Sequence, residues 1–193
     1  SLPSSTACED GGGGDGGGSE GEARRLTDLD LGYLQRKLVF EDGLVHLQQF
    51  ATFSEWWEAL LITIGRLKNE WNSLHPCFIK GFVDRQTAES LLQYSPEGTF
   101  LIRFSDSQQG WLAISFAAEG GSKEGATADH HNRKRIQHCL VEVQADGCSI
   151  VFSKGHRRKF SSLKRLIYEC SVLKAFYPQV EKRFAFSSVQ SVY

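Results

Sequence analysis

Between Gly98 and Ser107 the chain reads Gly-Thr-Phe-Leu-Ile-Arg-Phe-Ser-Asp-Ser. A single cation, Arg103, lies in an apolar run, and a hydroxyl-rich turn carrying Ser105, Asp106 and Ser107 comes directly after it. Side chains alternate along a strand, so Thr99, Leu101 and Arg103 share one face while Phe100, Ile102 and Phe104 share the other. A guanidinium on a face that packs against something is costly unless an anion compensates it. The segment therefore reads as an oxyanion site. The same residues also fit an Arg that runs its stem along the strand and lifts its head into water.

The elements that would position such a site can be read from hydrophobic spacing and punctuation. Ser95-Pro96-Glu97-Gly98 turns into the strand, and Asp106 to Gly110 forms a short loop to a second strand at Trp111–Phe116, giving an antiparallel hairpin. Ile136–Val143 and Cys148–Ser153 are expected as third and fourth strands about the Asp146-Gly147 turn, with Gly155–Lys159 as a basic bend. Before the hairpin, Asp84 is the N-cap of a helix with Arg85 in its first turn and Ala88, Leu91 and Leu92 on its buried face. Ser161 or Ser162 caps a later helix carrying Leu163, Leu166, Ile167 and Cys170. Further upstream, Trp56, Trp57, Leu60, Leu61, Ile64, Leu67 and Trp71 form a helical stripe with Ser54 as N-cap candidate, and 26–50 reads as shorter helical pieces. The order helix, antiparallel sheet, helix is that of an α+β domain with one helix for each face of the sheet.

Composition limits what this domain can do. Residues 1–22 hold five acids, no base and eight glycines, which leaves the remainder with a surplus of four positive charges. That suits an anionic ligand but is too weakly basic to argue for nucleic acid. The acidic, Gly-rich stretch cannot bury apolar surface and is expected to be a disordered tail. Five scattered cysteines without C-x-x-C spacing point to reduced thiols. His130, His131, His138 and Cys139 are too weak a pattern to predict a metal site, and no cofactor is expected. No apolar run approaches the roughly 20 residues that cross a bilayer. The chain has no Met, as expected of a processed product or a fragment. No nucleophile–base–orienter set stands out, so catalysis is not expected.

The Gly98–Ser107 segment resembles the phosphotyrosine-binding strand and loop of SH2 domains. Gly81-Phe82-Val83-Asp84-Arg85, Gln137-His138-Cys139 and Phe160-Ser161-Ser162-Leu163 fall where such a domain would place them. Phe53-Ser54-Glu55-Trp56-Trp57 through Trp71-Asn72 and Ile79-Lys80-Gly81-Phe82, together with Leu173–Lys182 and Ala185-Phe186, is similar to the signal transducer and activator of transcription (STAT) family and its helical linker. The resemblance implies a tail over 1–24, a helical linker over 25–76, an SH2 domain over 77–178 and a tail segment over 179–193, with 117–135 as an insertion.

Its functional implications are specific. Arg103, Ser105, Asp106 and Ser107 would form the phosphotyrosine-binding strand and loop. Arg85 would supply the second phosphate contact, with its stem along the phenol ring, and His138 would pack against that ring. Phosphotyrosine carries about −1.5 to −2 charge and three acceptor oxygens, which suits a bidentate guanidinium. The resemblance further implies a partner bearing phosphotyrosine, reciprocal homodimerisation, and work in cytoplasm and nucleus. Tyr193 is the candidate phosphoacceptor within the chain. No counterpart of that family's DNA-binding barrel is seen, so direct DNA binding is not expected. Two alternatives stay open: an adaptor without a transcriptional role, and a scaffold that no longer reads phosphate.

Overall fold

A computed structural model describes residues 24–39, 43–73, 75–118, 135–151 and 156–186. The Gly-rich stretch to residue 23, insertion residues 119–134 and Tyr193 lie outside the described residues. The elements begin with α1 (Asp28–Leu38), α2 (Leu47–Arg66), α3 (Lys68–Asn72) and α4 (Arg85–Leu92). Then come β1 (Thr99–Phe104), β2 (Leu112–Ala118), β3 (Arg135–Gln144), β4 (Gly147–Val151) and β5 (Arg157–Phe160). The chain continues through α5 (Leu163–Glu169), β6 (Ala175–Phe176), β7 (Val180–Glu181) and α6 (Lys182–Ala185).

The described strands form one sheet in the order β5-β4-β3-β2-β1-β6-β7. β1 and β2 form the expected antiparallel hairpin, with Arg103 opposite Ala113. The sheet differs from a purely antiparallel one because β6 adds to β1 in parallel. The basic segment expected as a bend becomes β5, which pairs with β4 along Cys148–Val151. Its charges are balanced side by side: Arg157 meets Glu142 at 2.5 Å, Arg158 meets Glu169 at 2.6 Å and Lys159 meets Asp146 at 2.7 Å.

The two faces of β1 enter different cores. Phe100, Ile102 and Phe104 join the larger cluster, with Leu163, Leu166 and Ile167 of α5. Leu101 packs with Val83, Ala88 and Leu92, so α4 covers the face that carries Arg103. A helix thus lies on each face, as the periodicity predicts. The larger cluster also takes in Tyr33, Trp56, Leu60 and Trp71, so the upstream helices and the sheet share one core.

Local corrections have plain causes. Helix α2 begins at Leu47 with His46 at its N-cap, which places Ser54 two turns inside the helix rather than at its start. The whole of that first stretch is exposed or half-buried, with Leu47 and Phe50 among the exposed apolar residues, so its apolar side chains do not join the buried stripe of Trp56 and Leu60. Leu61 is exposed, whereas Trp56 and Leu60 are buried. Asp84 and Ser162 do cap their helices, accepting from Thr87 N at 2.7 Å and Arg165 N at 3.1 Å.

Arg24, assigned to the tail on sequence, is part of the folded unit. Its side chain is 4% exposed, lies 4.1 Å over the Trp71 ring and donates to the carbonyls of Ile79 and Lys80. Asp30, 3.6 Å from it, accepts from Phe82 N at 2.9 Å and completes a capping box with Thr27. This pair fastens α1 to the segment entering α4. Gly81 passes there with φ +108, and a Cβ at that position would stand 2.6 Å from Asp30 Oδ1.

Candidate functional site

Arg103 rises from the middle of the sheet and is only 4% exposed. Its Nε donates to Ser115 Oγ at 3.4 Å, and its Nη1 donates to Phe104 O at 3.1 Å and Asp106 Oδ2 at 2.9 Å. A longer Nη1 contact reaches Val83 O at 3.5 Å. These contacts use Nε and Nη1, and among the described residues Nη2 has no hydrogen-bond partner, so it is placed to meet a ligand. The strand alternation explains the placement: Ser115 lies on the Arg103 face of β2, and His138 is its partner on β3.

A polar chain then crosses from the sheet to α4. Ser115 Oγ and His138 Nδ1 are 2.9 Å apart, and His138 Nε2 is 3.0 Å from Glu89 Oε1. The same Glu89 oxygen accepts from Arg85 Nε at 2.9 Å. Arg85 is exposed and pairs with Glu89 one turn along the helix, so its reach toward Arg103 is through that carboxylate and His138. Burial holds the His138 imidazole below its ordinary 6.5, with Arg85 and Arg103 adding to the effect against the pull of Glu89. The Arg85 hydrogen bond, with help from His138, holds Glu89 below the usual carboxylate value.

The loop after β1 is closed by Ser105, which is 2% exposed. Its Oγ accepts from Ser107 N at 3.3 Å and Gln108 N at 3.1 Å, so two loop amides converge on one hydroxyl. Such a turn presents backbone donors to an incoming anion. Ser107 is exposed, with its Oγ 3.4 Å from that of Ser105. Asp106 faces Arg103 with one oxygen and accepts from the Tyr33 hydroxyl of α1 with the other, while Lys37 Nζ stands 4.0 Å away. At Gly110 the backbone takes φ +72 and presses against α2, where Thr63 Oγ1 donates to Gly110 O at 2.5 Å.

The predicted residues Arg103, Ser105, Asp106, Ser107, His138 and Arg85 are thus brought into one neighbourhood, while Tyr193 lies outside the described residues. Sequence reasoning missed Glu89, Ser115 and Tyr33. The first two had a readable signal: Glu89 is four residues after Arg85, and Ser115 is the polar member of an apolar strand. Tyr33, in α1, had none. His138 and Cys139 point to opposite faces of β3, which separates that pair as metal ligands, and burial pushes the Cys139 thiol up to about 12.

Two cavities flank the site. One of about 890 Å³ lies between the loop and the upstream helices, lined by Lys37, Phe53, Trp56, Asp106 and Ser107 among others. Arg103, Arg85 and His138 do not line it, so its size says little about the anion site. The other, of about 440 Å³, borders His138 and is lined by Phe116, Cys139, Cys170, Val172 and Leu173. Among the described residues no helix is long and apolar enough to cross a membrane.

The chain is similar to known proteins over the segment that holds this site. Residues 78–169 match the SH2 domain family. Signal transducer and activator of transcription 6 of Homo sapiens is 39% identical over 70 residues, which is 36% of this chain and 8% of that protein. Signal transducer and activator of transcription A of Dictyostelium discoideum is 29% identical over 93 residues, 48% of this chain and 13% of that protein. The chain therefore spans only a small part of the length of these relatives. SH2 domains are phosphotyrosine-binding signalling modules, and residues 78–169 of the chain form an SH2 domain that is similar to those of the two STAT proteins.

Proposed function

We propose that the chain reads phosphotyrosine through Arg103, and that this reading joins it to a phosphorylated partner as part of a STAT-like transcription regulator working in cytoplasm and nucleus. The observation that carries the reading is a guanidinium 4% exposed inside a sheet, whose Nη2 has no hydrogen-bond partner among the described residues. Paired with Nη1, that nitrogen forms a two-donor edge for a phosphoryl group, which a Lys ammonium would not reproduce. The loop amides of Ser107 and Gln108 supply further donors once an anion replaces Ser105 Oγ as their acceptor. Depth sets the selectivity: a phosphoryl group on a long aromatic stem reaches Arg103, and one on a serine stem falls short. His138 and the stem of Arg85 would flank the phenol ring.

The cavity bordering His138 suits an apolar residue that comes after the phosphotyrosine. Pairing between two copies would be isologous, each domain taking the other's phosphotyrosine, and two linked contacts would strengthen each other. Tyr193 is the proposed acceptor within this chain. The test is calorimetric titration of a phosphotyrosine peptide and its phosphoserine counterpart, with Arg103→Ala as control. Binding of the first alone, lost in the variant, is the expected result. Equal binding by Arg103→Ala would remove the assignment.

A further inference from the structure

Both cations of the site are already held by the protein's own carboxylates. Arg85 is held by Glu89, and Arg103 by Asp106. The second carboxylate has a further partner far along the chain, because its other oxygen accepts from the Tyr33 hydroxyl. Tyr33 is 4% exposed and set between Trp56 and Phe82, with ring centroids 6.3 and 6.0 Å away. Burial and the neighbouring Asp106 carboxylate hold its hydroxyl protonated, and so a donor. One carboxylate therefore connects helix α1 to the guanidinium at the floor of the site.

A phosphoryl group gripped by Nη1 and Nη2 needs an N–H of Nη1, and its two are taken by the Phe104 carbonyl and by Asp106. It also brings a second negative charge beside that carboxylate, and like charges a few ångströms apart repel strongly where water is scarce. The two anions compete for one edge of Arg103. Whatever fastens Asp106 there weakens the incoming phosphate.

We propose that Asp106 is a resident anion that phosphotyrosine displaces from Arg103, and that Tyr33, by holding Asp106 in place, sets the affinity of the site from helix α1. The proposal rests on the phosphotyrosine reading above. Asp106 and Tyr33 are positioning residues in it, acting through Arg103. Because such coupling is reciprocal, a change that frees α1 tightens phosphate binding by the factor with which phosphate loosens α1.

Phenyl phosphate is the probe, titrated into the whole chain and tracked by nuclear magnetic resonance. Asp106→Asn keeps the shape and removes the charge, and it is expected to bind at least about fivefold more tightly than the unaltered chain. Tyr33→Phe is expected to tighten binding about two- to fivefold, and to change nothing when added to Asp106→Asn. A merely structural Tyr33 would act equally in both backgrounds. Equal or weaker binding by Asp106→Asn, with Arg103→Ala still abolishing it, overturns the coupling and leaves the phosphotyrosine reading intact. Equal binding by the unaltered chain and Arg103→Ala overturns both. Asp106 is partly exposed and outside the core, so its substitution decides the matter even if Tyr33→Phe does not fold.

Discussion

Replacing Arg103 with Met should separate function from stability. Moving a guanidinium out of water to a site 4% exposed costs several kcal/mol. Against this stands one charge-assisted contact, to Asp106 at 2.9 Å, of about 1.5–3 kcal/mol. The Phe104 carbonyl at 3.1 Å contributes about 1 kcal/mol. The Ser115 and Val83 contacts, at 3.4 and 3.5 Å, lie at the edge of hydrogen-bond range and add little. The opposing terms nearly cancel. Met has similar length and no charge, and it leaves Ser115 paired with His138 and Asp106 paired with Tyr33. We expect stability to hold or rise by up to about 2 kcal/mol. In urea unfolding monitored by tryptophan fluorescence, with a slope of about 2 kcal/mol/M, the midpoint would stay or move up by as much as about 1 M. Two charge-assisted bonds to the phosphate would be lost together, so peptide affinity should fall by about 100-fold or more. A stability loss above about 2 kcal/mol, or retained binding, would show that Arg103 serves the fold rather than a ligand.

Three other perturbations test the surroundings of the site. The depressed His138 imidazole means that the unfolded chain takes up this proton first, so stability is lost as pH falls below 6.5 toward the folded-state value. His138→Gln should flatten that slope in urea melts from about pH 7.5 to about pH 5.5, and an unchanged slope would count against the assignment. Asp30→Ala breaks a buried pair with Arg24 and removes the acceptor of Phe82 N, so thermal denaturation should report a loss of about 3–5 kcal/mol. Leu60→Ala, at a position 1% exposed, should cost about 2–5 kcal/mol while keeping a single unfolding transition. Two separate transitions would mean that α2 and the sheet do not share a core.

What was readable in advance was local. Alternation along Thr99–Phe104 placed Arg103 on the face opposite Phe100 and Ile102, and the structure puts the two faces in different clusters. Asp84 was recognisable as a cap, and Ser162 as one of two candidates with Ser161, because a cap bonds to an amide three residues away. The start of α2 was not readable, since the apolar residues of 47–54 are exposed or half-buried and make no buried stripe of their own, and the segment is helical as an extension of the buried Trp56–Leu60 stripe. Nor was β5: its basic run is a strand by pairing with β4, and Glu142, Asp146 and Glu169 stand beside its charges. The parallel addition of β6 depends on a return of the chain that no local pattern announces.

The same division holds at the anion site. Residue types and spacing within Gly98–Ser107 determined that a cation would be set among apolar neighbours beside a loop rich in donors. Helix periodicity determined that Arg85 would start an element packed near it. Only the tertiary structure decided which of the protein's own groups those cations meet. Glu89 holds Arg85, Ser115 and His138 relay between sheet and helix, and Asp106 binds Arg103 with one oxygen and Tyr33 with the other. Tyr33 and Asp106 lie 73 residues apart, and a contact across that separation leaves no periodicity, cap or turn to read. It exists because Trp56 and Phe82 fix the angle at which α1 docks, and that angle is a property of the packed core.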